Sequence, residues 1–313
     1  MNGIKSGKSR IVMGSRGSAL ALAQTGHIRT EIQNMNPGME VSIKIIKTSA
    51  DKDVVSSLRA SSGAGVFVKE LEHALLRGEI DLAVHSMKDV PTRIAEGLCI
   101  AAVPAREDAR DALISSQADS LAALPAGARV GTGSFRRQAQ ILALRPDLEI
   151  ADIRGNVDTR VQKMESGLYD AVILACAGLR RLGLEYRITC AFTYEQMLPA
   201  PGQGALAIET RADDVFVNGI AVKLNHANTA AAVAAERAFL ERMGGGCNVP
   251  IAMYARVNQG KLEMDALVAS PDGKKRVRDA AVCQPENSTA AINELAERML
   301  SCGAAEILRE FRN

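Results

Sequence analysis

The chain contains no tryptophan, and aromatic residues make up only 3% of its 313 positions. Single-stranded nucleic acid is held on stacking rings, so the sequence argues against that class of partner. The formal net charge is only +2. That is no global basic excess for a duplex either, and positive charge with a role must be gathered locally. No apolar run reaches the roughly 20 residues needed to span a bilayer, so no membrane partner is expected. Met1 to Arg10 is polar, without the apolar stretch of a secretion signal. The six cysteines are Cys99, Cys176, Cys190, Cys247, Cys283 and Cys302. They form no C-x-x-C pair and suggest neither a disulfide framework nor a metal site. A cytoplasmic, reducing setting is expected, with an organelle stroma after processing left open. No coiled-coil pattern is readable, and a monomer is expected.

What is present is aliphatic. Hydrophobic residues reach 47% and charged residues 24%, an ordinary balance for a soluble globular chain. Strands are predicted at 10–14, 41–47, 82–84 and 98–103, alternating with helices at 19–35 and 66–77. Ser18 is placed to cap the first helix, which stops before Asn36-Pro37-Gly38. Residues 48–65 are polar and small and read as a mobile loop. A second series follows, with strands at 112–115, 129–132, 148–153 and 171–175 and helices at 135–144, 157–166 and 176–182. Such alternation implies mostly parallel sheets covered by helices. Breaks at 104–108 and 199–204 separate the series, and a strand at 205–209 is assigned back to the first sheet. Beyond Asn225, Thr229 is read as the cap of an Ala-rich helix. Antiparallel strands are predicted at 249–257, 262–270 and 276–283, and a helix at 286–300. The expected fold is α/β: two lobes with a double chain crossing, plus a small C-terminal α+β domain with a three-stranded antiparallel sheet. The expected domains are 1–104 with 200–224, then 105–199, then 225–313. Two lobes joined by two crossings would form a cleft able to open and close.

Three stretches carry candidate chemistry. In the first, the buried run Leu82-Ala83-Val84 leads into His85, Ser86, Lys88 and Asp89 before Pro91. Open α/β sheets place chemistry at such strand mouths, although a lysine–aspartate pair is also an ordinary solvated loop pair. In the second, Gly131-Thr132-Gly133-Ser134 opens a helix carrying Arg136 and Arg137, and Arg154, Gly155 and Arg160 follow. With Arg16 and Arg181, these six arginines all sit near strand ends or helix starts. Each alone fits a surface ion pair; together they favour a small ligand with many carboxylates. Helix-start amides with Arg136 and Arg137 would make an anion site. The same turn is compatible with a dinucleotide fingerprint, but Arg136 stands where its third glycine belongs. In the third, Cys247 follows Gly244-Gly245-Gly246; glycines let a backbone turn sharply and expose the next side chain, while a buried small hydrophobe is the alternative.

Taken together, Asp81 to Pro91, the Ser134-Phe135-Arg136-Arg137 and Arg154-Gly155-Asn156-Val157-Asp158-Thr159-Arg160 stretches, and Gly244 to Pro250 resemble the porphobilinogen deaminase (hydroxymethylbilane synthase) family. The resemblance runs from about Arg10 to near the C-terminus and includes Phe67 to Glu72, Pro201-Gly202-Gln203-Gly204-Ala205 and Ala234 to Arg237. It implies a transferase of tetrapyrrole biosynthesis that joins four porphobilinogen molecules head to tail, with loss of ammonia, and releases hydroxymethylbilane. It implies a dipyrromethane cofactor, bound by a thioether to Cys247, and Asp89 as the central catalytic group with Lys88 beside it. Cofactor contacts are implied at Ser18, Lys88, Asp89, Ser134, Arg136, Arg137, Arg154 and Gly155. Substrate contacts are implied at Arg16, Phe67, Ser86, Arg154, Arg160 and Arg181. Handover of product to the next enzyme is a possible partnership. Because one aspartate serves every round, movement of the lobes would let the growing chain shift. The sequence departs from the family pattern at Gly63-Ala64-Gly65, where a lysine between the glycines is usual, at Ala60, where a lysine is sometimes found, and at Gly133, where a serine is usual. A rival of another class is a non-catalytic two-lobe binder of a polycarboxylate, as in the periplasmic solute-binding proteins.

Overall fold

The computed structural model describes residues 9–46, 68–245 and 249–312. Phe67, Cys247 and the loop predicted at 48–65 lie outside them. Among the described residues the strands and helices run, in chain order, β1 (Arg10–Ser15), α1 (Ala19–Met35), β2 (Glu40–Ile45), α2 (Lys69–Leu76), β3 (Leu82–Ser86), β4 (Leu98–Ala102), β5 (Asp111–Ser115) and β6 (Arg129–Gly131). They continue with α3 (Phe135–Leu144), β7 (Glu149–Ala151), α4 (Val157–Glu165), β8 (Ala171–Ala175), α5 (Cys176–Arg181), β9 (Cys190–Ala191), β10 (Leu206–Arg211), α6 (Val215–Ala221) and α7 (Ala227–Arg242). The last are β11 (Ile251–Asn258), β12 (Lys261–Ala269), β13 (Arg276–Cys283), α8 (Ser288–Met299) and α9 (Ala305–Arg312).

The chain divides into two compact units, Met1–Ala105 with Ala205–Ala230, and Arg106–Gly204 with Ala231–Asn313. The first unit holds a sheet of order β2-β1-β3-β10-β4. Ser18 caps α1 as the sequence suggests, its hydroxyl accepting from Ala21 N at 3.3 Å. Ile28 and Ile32 of α1 then pack on Ile11, Met13, Leu82, Val84, Leu206 and Ile208. Leu71, Ala74 and Leu75 of α2 cover the opposite face around Ala83. The returning strand does complete this sheet, between β3 and β4, and it runs antiparallel to both.

The second unit holds two sheets. One has the order β7-β6-β8-β5-β9, with β6 parallel to β7 and β8, and β5 antiparallel to β8 and β9. Each five-stranded sheet is therefore mostly parallel, as the alternation implied, with one antiparallel strand, β10 in the first and β5 in the second. The exceptions are the strands that follow the two crossings. They are not entered through a helix from a neighbouring strand, so nothing forces them into parallel alignment.

The third sheet, β11-β12-β13, is antiparallel throughout. Gln259 (φ 49°) and Gly260 (φ 75°) make its first turn, the two-residue, left-handed geometry that matches strand twist. Phe239 of α7 and Leu295 and Met299 of α8 fill the core beneath it. Two details differ from expectation. The cap of α7 is His226, whose Nδ1 accepts from Thr229 N at 3.2 Å, so the helix starts at Ala227. The final helix also continues: after a kink at Gly303 (φ 109°) the chain resumes as α9.

Glu236 ties this unit together. Its side chain is fully buried on α7 and accepts from Arg106 Nη1 (2.6 Å) and Nη2 (3.1 Å), Gly202 N (2.6 Å) and Ala255 N (2.8 Å). One carboxylate thus joins a helix, a strand and both crossing segments. Removing one partner of such a pair strands the other charge. Glu236→Ala is expected to cost about 3–5 kcal/mol in urea unfolding, and a loss below about 1 kcal/mol would contradict this reading.

Candidate active site

In the first unit β1, β2 and β3 are parallel, so their C-terminal ends share one edge of the sheet. Arg16 and Ser18 follow β1 there. Ser86, Lys88 and Asp89 end β3 or follow it. The strand end is pinned before the chemistry begins. Ser86 Oγ accepts from Gln24 Nε2 of α1 at 2.9 Å, and Met87 N donates to Ala205 O at 3.0 Å. A 3₁₀ turn over Met87–Asp89 follows, closed by Val90 N donating to Met87 O at 3.1 Å. Lys88 is half-buried and Asp89 exposed. The turn thus carries a carboxyl group to solvent from a rigid base.

In the second unit β6, β7 and β8 are the parallel set. Ser134, Arg154, Gly155 and Arg181 lie beyond their C-terminal ends. Ser134 caps α3, its hydroxyl accepting from Arg137 N. Arg154 Nε donates to Asp152 Oδ2 at 2.8 Å, and both side chains are more than half exposed. Arg160 Nε donates to Gly155 O at 2.8 Å. Gly155 needs its glycine, with φ 117° and Thr159 only 2.9 Å from where a Cβ would stand. Glycine at 133 also has a local reason: a Cβ there would lie 2.9 Å from Asp152 Oδ1. Arg181 Nη2 donates to Gly204 O at 2.7 Å. Burial lowers the pKa of Arg181, and Glu107 only partly offsets it. A half-buried guanidinium so weakly compensated favours an incoming carboxylate.

Arg136 and Arg137 differ from the open anion site that the sequence suggests. Both are buried, and both turn onto Asp111, which is fully buried at the start of β5. Arg136 Nη1 donates to Asp111 Oδ2 (2.7 Å) and Leu198 O (2.7 Å). Arg137 donates to Asp111 Oδ1 from Nε (3.0 Å) and Nη2 (2.7 Å), and from Nη1 to Ile173 O (3.0 Å). Gln203 Nε2 adds a fourth donor group at 2.9 Å. Asp111 neutralises one of the two positive charges. Arg137 is committed to it, whereas Arg136 donates from Nη1 alone among the described contacts and keeps Nε and Nη2. The buried arginine also rules out the close helix–strand approach that a dinucleotide turn requires.

Sequence reading missed Asp111, and it met Gln203 and Glu236 only as members of family-like stretches, without their partners. Each looks like an ordinary polar residue, and only the fold reveals its partners. The arginine-rich edge of the second unit suits a ligand bearing several carboxylates, as a dipyrromethane does. Three thiols elsewhere, Cys176, Cys190 and Cys283, are poorly suited to nucleophilic work. Burial, with Asp108 and Asp111 nearby, pushes Cys176 up to about 12, and burial also raises Cys190 and Cys283.

Residues 11–219 match the sequence profile of the "Porphobilinogen deaminase, dipyromethane cofactor binding domain", and residues 230–301 that of the "Porphobilinogen deaminase, C-terminal domain". The chain belongs to the porphobilinogen deaminase family. Relatives bearing that name include one from Syntrophomonas wolfei, 47% identical over 96% of this chain and 98% of its own length. Another, from Pelobacter propionicus, is 48% identical over 95% of this chain and 96% of its own. Among solved structures, the chain is similar to a putative methionine-binding lipoprotein from Bacillus subtilis (16% identity, TM-score 0.44), over 71% of this chain and 92% of that one. As a member of this family the chain is a transferase with a dipyrromethane cofactor, and the plain binding-protein reading is not favoured.

The Asp111 cluster makes a stability prediction for this family member. Burial opposes ionisation of Asp111, but Arg136 and Arg137 outweigh it and hold the carboxyl well below the usual range. A depressed folded pKa contributes stability above the unfolded value of about 3.9 and loses it as pH falls. Asp111→Asn should cost about 3–5 kcal/mol at neutral pH, by leaving two buried cations without their anion. It should also flatten the acid-side loss of stability below about pH 4. Unfolding curves at several pH values check both, and an unchanged slope would contradict the assignment.

Proposed function

We propose that this chain condenses four porphobilinogen molecules head to tail, with loss of ammonia, and that water then cleaves the finished chain from its primer as hydroxymethylbilane, with Asp89 as the acid–base group. The observation that carries the reading is a carboxyl group set in solvent on a pinned strand end, in a chain whose second sheet gathers arginines at one edge. Each porphobilinogen must lose its side-chain amine. Protonated Asp89 gives the leaving amine its proton. The resulting carboxylate then stands against the positive charge of the methylene-pyrrolenine. When the new carbon–carbon bond displaces a ring proton, Asp89 takes it back and is ready for the next round. Lys88 binds a carboxylate beside it.

The dipyrromethane, when bound, supplies the free α-carbon on which the first pyrrole is joined. Cys247 holds it by a thioether. Ser18, Ser134, Arg136, Arg137, Arg154 and Gly155 frame its acetate and propionate groups, Arg136 through its remaining N–H donors and Arg137 by fixing Asp111. Arg16, Ser86, Arg160 and Arg181 hold substrate carboxylates, and Phe67 lies against a pyrrole. Every addition brings two more carboxylates, which is the physical reason for so many arginines. The protein acts as a monomer in the cytoplasm and passes its product to the next enzyme of the pathway. None of the helices among the described residues is long and apolar enough to cross a membrane.

Steady-state kinetics test the assignment. Asp89→Asn should lower kcat by at least about 100-fold, the usual scale of a lost acid–base group, while Asp89→Glu keeps measurable turnover. Near-normal turnover in Asp89→Asn would remove Asp89 from the mechanism.

A further inference from the structure

Around Arg154 the second unit carries a set of contacts for which the reaction above has no use. β6 and β7 run parallel with Gly131 opposite Ala151, and Thr132 N donates to Ala151 O at 2.9 Å. The chain leaving β6 at 132–134 therefore runs beside the chain leaving β7 at 152–155. The second of these is held along its backbone. Tyr169 Oη donates to Asp152 O (2.8 Å), Lys163 Nζ to Arg154 O (2.9 Å) and Arg160 Nε to Gly155 O (2.8 Å). The Tyr169 ring is itself seated on β6, 2.9 Å from where a Gly131 Cβ would stand. On this fixed backbone Arg154 Nε donates to Asp152 Oδ2 at 2.8 Å. Among the described residues, Nη1 and Nη2 of Arg154 have no hydrogen-bond partner. Gly133 makes the room. It does not use the left-handed backbone region, so space is its reason. A Cβ there would stand 2.9 Å from Asp152 Oδ1, 3.4 Å from Ile153 O and 4.0 Å from Arg154 Cζ. The nearest of these atoms ends a side chain that can turn away. A larger residue at 133 would therefore displace the Asp152 carboxylate at little cost to folding.

Both side chains of the Asp152–Arg154 pair are more than half exposed, so the pair adds little to stability. Its effect is on direction. The donors of arginine form a rigid planar fork. With Nε held by Asp152 the plane is set, and the Nη1 and Nη2 pair is left for a carboxylate to meet at two points. Without Asp152 the long side chain must be ordered when the ligand arrives. We propose that Asp152 is a positioning residue that holds Arg154 by Nε as a two-point site for one carboxylate of the dipyrromethane, and that Gly133 is the space this requires. The inference rests on Arg154 being a cofactor contact in the proposed reaction.

The test compares the full-length wild type with Asp152→Ala, Asp152→Asn, Gly133→Ser, Arg154→Lys and the double variant carrying Gly133→Ser and Asp152→Ala. Three quantities are read. Intact mass gives the fraction of each protein that carries two linked pyrroles after incubation with porphobilinogen. Steady-state kinetics give kcat and KM for porphobilinogen. Nitrogen-15 NMR follows the Arg154 Nε–H signal, assigned by its loss in Arg154→Lys. Asp152→Ala should slow loading and lower kcat by about threefold to tenfold, the cost of ordering one long side chain, with KM little changed. Its Arg154 Nε–H should exchange faster with water than in wild type. Gly133→Ser should reproduce both effects, and the double variant should be no worse than either single one, because all three remove the same contact. Asp152→Asn keeps an acceptor for Nε and should stay close to wild type. Loading and kcat at or above wild type in Asp152→Ala would overturn the proposal, since the carboxylate would then only be competing with the ligand. Additive effects in the double variant, or Nε–H exchange indifferent to Asp152→Ala, would overturn it too. If the exchange responds as expected but Arg154→Lys loads and turns over like wild type, the failure lies in the Arg154 assignment, and the positioning role falls with it.

Discussion

Asp111 is the constraint on which the second unit depends. A carboxylate with no solvent contact survives only if its lone pairs are met, and here Arg136, Arg137 and Gln203 meet them. Those three groups come from the start of a helix and from the returning crossing segment, so one anion sets the positions of both. Glu236 does the same for Arg106, Gly202 and Ala255. The two networks join at the crossing, where Arg106 Nε donates to Gln203 O at 2.7 Å. An edge rich in arginine needs such anchoring, because unpaired cations repel one another. Neutralising one inner charge lessens that repulsion.

The first unit uses a different device for the same end. Its turn over Met87–Asp89 is short, and it leaves a strand whose last residues are held by α1 on one face and by β10 on the other. Asp89 itself is exposed. In the proposed reaction, rigid support beneath an open carboxyl group would give access for each new substrate without loss of geometry.

Much of the fold is legible in the sequence because aliphatic runs bounded by glycine, proline and asparagine mark strands and helices directly. The cap at Ser18, the helix from Phe135 and the C-terminal hairpins follow from local chemistry alone. Strand direction does not. The residues of β5 and β10 read the same in either sense, and only the crossing of the chain decides. The candidate site divides similarly. Asp89, Lys88 and the exposed arginines are readable from their motifs. The partners that commit Arg136 and Arg137 are not, since Asp111 lies 25 and 26 positions away and nothing local marks it as buried. His85 and Glu209 are 124 positions apart; an isolated histidine in an apolar strand does not announce a carboxylate.

In the proposed reaction this chain builds its product on a dipyrromethane carried by Cys247. The most direct measurement is the intact mass of the purified protein, with the modified peptide located by fragmentation. An excess equal to two linked pyrrole units, on the peptide containing Cys247, is the expected result. A folded protein that shows only the unmodified mass, before and after incubation with porphobilinogen, would contradict it.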